Sequence, residues 1–217
     1  MALAIVTPVK VAQQQYDFIE DYEICFMIVF IVLVTLLILY IVYENHTRNK
    51  ELLKYAQTDA LTGLYNKETT EQLTDELLSE DENKYHAFLI LDVDCFKQIN
   101  DIYGHAVGDI VLQKFGKLLK GTFREGDILG RIGGDEFGVI MKNIQTKDIA
   151  MKKAEELLAK TQAYKIDELK GNNISISIGI STAPQDGDCY MDLYKRADQA
   201  LYQAKRSGKA RVCNYFS

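Results

Sequence analysis

Two acids stand side by side, Asp135 and Glu136, in the segment RIGGDEFGVI (Arg131 to Ile140), between stretches that otherwise read as strand. Glycine and aspartate are both depleted from strand interiors. The pair Gly133 and Gly134 reads as the tip of a tight β-hairpin, because glycine reaches positive φ without steric cost. A hairpin alone would leave Asp135 and Glu136 as solvated tip residues. A second acidic pair, Asp92 and Asp94, closes the apolar run HAFLILDVD (His86 to Asp94). Side chains alternate between faces along a strand, so one of these two can face a neighbouring tip. Beside the RIGGDEF hairpin, Asp92 converges with Asp135 and Glu136. Three carboxylates at one spot repel unless a cation lies among them. Hard oxygens in a small cluster suit Mg2+ or Mn2+, ions that also hold substrate phosphates. The glycines then have a second use, since a backbone without Cβ can approach a phosphate closely. The other reading of Asp92 is a cap for the helix after the strand.

Cations and polar groups accompany these acids. Lys97 follows the first strand, Asn100, His105 and Asp109 lie in the next helix and turn, and Lys205 and Lys209 sit near the end of the last helix. Lysine suits phosphate as a point charge. Asparagine offers a donor and an acceptor and aspartate accepts from N–H groups, so Asn100 with Asp109 can read a purine edge. Taken singly, each is more often an ordinary surface residue. REGD (Arg124 to Asp127) reads locally as a polar turn containing Gly126.

The elements that must position these groups alternate along the chain. A turn-rich junction, DALTGLYN (Asp59 to Asn66), precedes a helix to about Leu78. The first strand is apolar on both faces, as a central strand is. FKQINDIYGHAVGDIVLQKFGKLLKGTF reads as helix, glycine-marked turn and amphipathic helix. The hairpin follows, then a helix from Ile149 to Tyr164. NISISIGIS (Asn173 to Ser181) alternates with period two and is a strand. A helix from Met191 to Lys205 and a last strand in ARVCNYF complete an α/β pattern, a mixed sheet covered by helices.

Ile24 to Tyr43 holds 20 residues with neither charge nor proline. A helix of that length spans about 30 Å, the hydrocarbon thickness of a bilayer. Asp17, Glu20, Asp21 and Glu23 precede it, and Arg48, Lys50 and Lys54 follow. Basic residues favour the cytoplasmic side, so the N-terminus is expected outside, in a single-pass protein of the cytoplasmic (inner) membrane. The organisation expected is an extracytoplasmic segment 1–23, a transmembrane helix 24–43, a helical stalk 44–58 and one soluble domain 59–217. The outer segment is too short for a sensor domain with its own core. A net charge of −6 argues against a general nucleic-acid binder. Cys25, Cys95, Cys189 and Cys213 form no C-x-x-C pair and read as reduced.

From DALTGLYN to GKARV, ending at Val212, the chain resembles the GGDEF family of diguanylate cyclases. The resemblance rests on DALTGLYN, DVDCFKQIND, YGHAVGD, RIGGDEF, ISIGI and ADQALYQAK, all in order. It implies a palm-like nucleotidyl-cyclase domain that condenses two GTP into cyclic di-GMP. Asp92 and Asp135 would bind Mg2+ through their carboxylates and Val93 through its carbonyl, with Glu136 assisting. Asp135 would also deprotonate the ribose 3′-hydroxyl. Asn100 and Asp109 would hold guanine, with His105 in the same substrate-contacting segment. Gly134, Lys97 and Lys205 would hold phosphates, with Lys209 at the last phosphate position. Arg124 and Asp127 match the family's R-x-x-D inhibitory site for product. Each domain resembles a half-site for one GTP, which implies a homodimer. Two positions depart from the pattern: Cys95 stands where His or an aromatic is common, and Lys209 where Arg is common. A nucleotide-binding receptor without catalysis is the other class of function. The intact acids and glycines favour the enzyme.

Overall fold

The computed structural model describes Tyr22 and residues 26–45, 57–80 and 84–215. The chain divides into two units, Met1–Lys54 and Tyr55–Ser217. In the first, helix α1 (Phe26–Asn45) is 20 residues long with a mean hydropathy of 3.0, enough by length and composition to cross a membrane. Most of the expected outer segment and stalk, and the basic flank Arg48, Lys50 and Lys54, lie outside the described residues.

The second unit is built on five strands: β1 (His86–Val93), β2 (Ile128–Arg131), β3 (Glu136–Met141), β4 (Ile176–Ala183) and β5 (Val212–Asn214). Their order in the sheet is β2-β3-β1-β4-β5. The β2–β3, β3–β1 and β1–β4 pairs are antiparallel, and β4–β5 is parallel, so the sheet is mixed. The helices are α2 (Lys67–Glu80), α3 (Phe96–Tyr103), α4 (His105–Thr122), α5 (Lys147–Ala163) and α6 (Tyr190–Arg206). They lie within a few residues of the positions read from periodicity.

Every residue of central β1 is buried. Alternation divides the strands between two cores. Leu89, Leu91, Val93, Phe137, Val139, Ile178 and Ile180 pack with Val111, Leu112, Phe115 and Leu119 of α4 and Ala154 and Leu157 of α5. On the opposite face Phe88, Ile90 and Ile140 pack with Leu78 of α2 and Leu193, Ala197 and Leu201 of α6. Asp92 keeps the parity of Phe88 and Ile90, so it projects toward the α2–α6 face, at the strand's last turn of pleat. Its direct partner across the β1–β3 ladder is Glu136. The fold thus brings two of the acids onto one face of one strand pair.

Candidate active site

The acids sit where β1 ends beside the hairpin. Val93 N–H donates to the Asp135 carbonyl (3.2 Å), which stitches the residue after Asp92 to the hairpin tip. Lys205 Nζ lies 2.7 Å from Asp92 Oδ2. Lys205, expected on a phosphate, is therefore also the counter-charge of a candidate metal ligand. Burial pushes the Asp92 carboxyl above its ordinary value of 3.8. Lys205 opposes that shift, while the charges of Asp135 and Glu136 add to it. One ammonium does not balance the acids, which is the electrostatic condition a divalent cation relieves. The ligand oxygens are not drawn together as a tight cage. Among the described residues, a mutual spacing within 4.8 Å is reached by Asp188, Cys189 and Asp192 elsewhere in the fold.

The hairpin itself departs from expectation. Neither Gly133 nor Gly134 has a positive φ. The connection runs through residues 132–135 between β2 and β3, and a loop of that length does not require the left-handed turn of a two-residue hairpin. The Glu136 carbonyl accepts from both Ile132 N–H (3.0 Å) and Gly133 N–H (3.2 Å). A Cβ on Gly133 would lie 3.0 Å from Glu136 Oε2, so the first glycine makes room for the glutamate. Gly134 is exposed, and a Cβ there would meet nothing within 4 Å, so space remains for a ligand beside it.

Asp94 takes a different part from Asp92. It is buried; its carboxylate accepts from Ser175 Oγ (2.6 Å), Ser177 Oγ (2.7 Å) and Ala210 N–H (3.1 Å). It locks the end of β1 to β4 and to the loop after α6 that carries Lys209. Within that loop Lys209 Nζ lies 3.2 Å from Cys95 Sγ, so the two departures from the family pattern touch each other. Cys95, Cys189 and Cys213 are free thiols. Cys25 lies outside the described residues.

Asn100 of α3 is half-buried and lies against Gly108 of α4, next in the chain to exposed Asp109. Lys97 and His105 are exposed on α3 and at the first residue of α4. Arg124 and Asp127 are paired (Nε to Oδ1, 3.0 Å). Asp127 Oδ1 also accepts from Lys142 N–H at 3.1 Å, and an Arg124 Nη2 bond reaches the Lys142 carbonyl. The turn is thus fastened to the strand beside it. Asp127 is the buried member and Arg124 the exposed one (3% and 59% side-chain exposure).

Sequence reasoning missed Asp59 and Arg131. Arg131 Nη1 contacts both oxygens of Asp59 (3.2 and 3.1 Å), and its Nε and Nη2 reach the Gly134 carbonyl (3.1 and 2.8 Å). The DALTGLYN junction is thereby tied to the glycine tip by one guanidinium. No local pattern announces this pair, whose members are 72 residues apart. Serines at period two in NISISIGIS were the available signal for the Asp94 partners.

Burial raises the Asp59 carboxyl, but the Thr62 hydroxyl and amide and the Arg131 charge outweigh it, so the pKa falls below its ordinary 3.8. A depressed acid stabilises the fold above its unfolded pKa and loses that contribution as pH falls through the folded one. Asp59→Asn is therefore expected to unfold more easily than wild type at pH 7, by about 1 kcal/mol. The two melting curves should converge as pH falls below about 4. Equal stability at pH 7 would remove Asp59 from the account.

The family model described as "Diguanylate cyclase, GGDEF domain" matches residues 56–211. Diguanylate cyclase A of Treponema denticola is 37% identical over 170 residues, covering 76% of this chain and 46% of that protein. The chain spans about half the length of the curated relatives it matches. Among solved structures, the GGDEF domain of TpbB from Pseudomonas aeruginosa superposes with a TM-score of 0.69 at 33% identity, covering 73% of this chain and 94% of that one. The GGDEF domain of DgcB from Caulobacter crescentus, solved in complex with c-di-GMP, gives a TM-score of 0.69 at 27% identity, covering 75% and 94%. Because the matched residues are well over half of the chain and the five-stranded sheet carries the acids at the expected hairpin, this chain belongs to the GGDEF family of diguanylate cyclases.

Proposed function

We propose that this chain condenses two GTP into cyclic di-GMP and two pyrophosphates, as a membrane-anchored homodimer. The observation that carries the reading is the Asp92–Glu136 cross-strand pair, with Asp135 beside it and Lys205 on Asp92, in a domain of the cyclase family. Mg2+ or Mn2+, held by Asp92, the Val93 carbonyl, Asp135 and Glu136, would supply a Lewis acid that lowers the pKa of a 3′-hydroxyl and stabilises the departing pyrophosphate. The donor set fits: hard carboxylate oxygens, one of them held above its ordinary pKa by burial and acidic neighbours.

The chain's own groups bind and orient the substrate. Asn100 and Asp109 hold guanine, and His105 lies in the same segment. Lys97, the Gly134 backbone, Lys205 and Lys209 hold phosphates. Asp135 takes the 3′-hydroxyl proton as the oxygen attacks the α-phosphorus of the second GTP. The α–β phosphate bond breaks and pyrophosphate leaves; a second, reciprocal attack closes the ring. One domain supplies one nucleotide, so two must face each other. Helix α1 restricts both copies to a plane and raises their effective concentration. The expected topology keeps the catalytic domain cytoplasmic.

One experiment tests the activity and the topology. Sealed inside-out vesicles carrying the full chain should convert added GTP and Mg2+ into cyclic di-GMP, read by chromatography. Right-side-out vesicles should do so only after permeabilisation. Lack of product from both after permeabilisation rejects the activity. Product from intact right-side-out vesicles rejects the orientation.

Arg124 and Asp127 are the proposed product site. A guanidinium can pair with phosphate or with a guanine edge. Arg124 is the member to remove, because it is exposed while buried Asp127 also fastens the turn. Arg124→Ala is expected to leave the initial rate within about twofold and to shift inhibition by added cyclic di-GMP at least tenfold upward, a change of about 1.4 kcal/mol in product binding. Superimposable inhibition curves for wild type and variant would take Arg124 out of the site.

A further inference from the structure

Helices α3 and α4 meet where the base-reading candidates lie, and the contact is closed by a residue with no side chain. Gly108, the fourth residue of α4, is buried. A Cβ built on it would lie 1.9 Å from Asn100 Oδ1, 3.0 Å from Asn100 Cγ and 3.2 Å from the Phe96 ring edge. Non-bonded heavy atoms rest roughly 3.5–4 Å apart, so the first of these distances is an overlap. The Asn100 carboxamide therefore occupies the space that any side chain at 108 would fill. Asp109 follows Gly108 in the chain, so the carboxamide lies against the residue that immediately precedes the second base-reading candidate.

We propose that Gly108 is a positioning residue for base recognition: its missing side chain fixes the Asn100 carboxamide against α4, one residue before Asp109, and this placement determines the preference for guanine. The inference rests on the reading that Asn100 and Asp109 hold the base.

The atoms in conflict decide what kind of residue Gly108 is. They are the far end of a rotatable side chain and the rim of an aromatic ring, with no backbone of another element among them. An alanine there can be accommodated by swinging Asn100 to another rotamer. Alanine is also the better helix former at an interior position. Gly108→Ala should thus hold or raise the melting temperature while it moves the carboxamide away from the base. A merely structural glycine would give the opposite sign in stability.

The test is a cycle of four full-length proteins in detergent: wild type, Asn100→Ala, Gly108→Ala and the double variant. Each is measured for KM and kcat with GTP, for the GTP-over-ATP preference, and for melting temperature. Gly108→Ala is expected to raise KM for GTP about tenfold, the loss of one hydrogen-bonding group, with a smaller change in kcat. The preference for GTP over ATP should fall by a similar factor. Since Gly108 acts through Asn100, the double variant should be no worse than Asn100→Ala alone. An unchanged KM for Gly108→Ala, a double variant in which the two losses multiply, or a Gly108→Ala chain that unfolds in both backgrounds overturns the inference. Asn100→Ala with an unchanged KM and base preference overturns instead the reading on which it rests.

Discussion

Asp135→Asn is expected to lower cyclic di-GMP formation by a hundredfold or more, about 2.7 kcal/mol in activation free energy, without unfolding the domain. Asparagine matches aspartate in shape, and the Asp135 contact that the structure records is through its carbonyl, from Val93 N–H, which the substitution keeps. What disappears is one negative charge beside Asp92 and Glu136. That charge contributes to holding the Asp92 carboxyl above its ordinary value, so its loss should ease ionisation of Asp92 while weakening the grip on a divalent cation. It also removes the proposed base. Product formation under saturating GTP and Mg2+, with a melting curve on the same preparation, separates these effects from misfolding. A well-folded Asp135→Asn protein turning over at the wild-type rate would end the assignment. Asp92→Asn should lose turnover comparably, but it also breaks the Lys205 ion pair, so Asp135 gives the cleaner reading.

Gly179→Ala is expected to destabilise the domain by about 3 kcal/mol or more, a fall of roughly 10 °C in melting temperature. Gly179 lies in β4 between Ile90 of β1 and Cys213 of β5. A Cβ there would stand 2.1 Å from the Ala197 carbonyl oxygen, 2.4 Å from Leu201 N and 2.9 Å from Leu201 Cα. All three are backbone atoms of α6, so no side-chain rotation relieves the clash. The helix must lift from the sheet, and Leu193, Ala197 and Leu201 would lose their contact with Phe88 and Ile90. Because α6 also carries Lys205 to Asp92, activity should fall with stability. Urea unfolding gives the measurement, and a wild-type midpoint would mean that α6 can slide on the sheet. The contrast with Gly108 is instructive: one methyl group, two helices, and opposite expected signs in stability, set by whether the neighbour is backbone or a side-chain end.

The strands and helices were legible because each follows a local rule. The apolar stretch Ala87 to Leu91 within HAFLILDVD gave a central strand, and the alternation in ISISIGIS gave another. Motif order alone is enough to give the family. The candidate site was legible in part. That Asp92 could meet the RIGGDEF hairpin followed from strand parity, and the register sets it opposite Glu136. The glycine pair serves a different purpose from the one its local pattern suggests: positive φ is absent, and Gly133 instead clears space for Glu136.

Sequence by itself determined the element order, the existence of an apolar helix (read at Ile24 to Tyr43, found at Phe26–Asn45), the acids and their motif, and the family. These depend on periodicity, length and residue type within short windows. Tertiary structure alone decided who pairs with whom: Lys205 with Asp92, 113 residues apart, Asp94 with Ser175, Ser177 and Ala210, Asp59 with Arg131, and Asn100 against Gly108. Such pairings are not written in any window, because a lysine or an aspartate has the same local signature whether it faces water or a partner. Sheet order and the seating of α3, α4 and α6 bring distant side chains within hydrogen-bond reach, and only that proximity gives each charge its role.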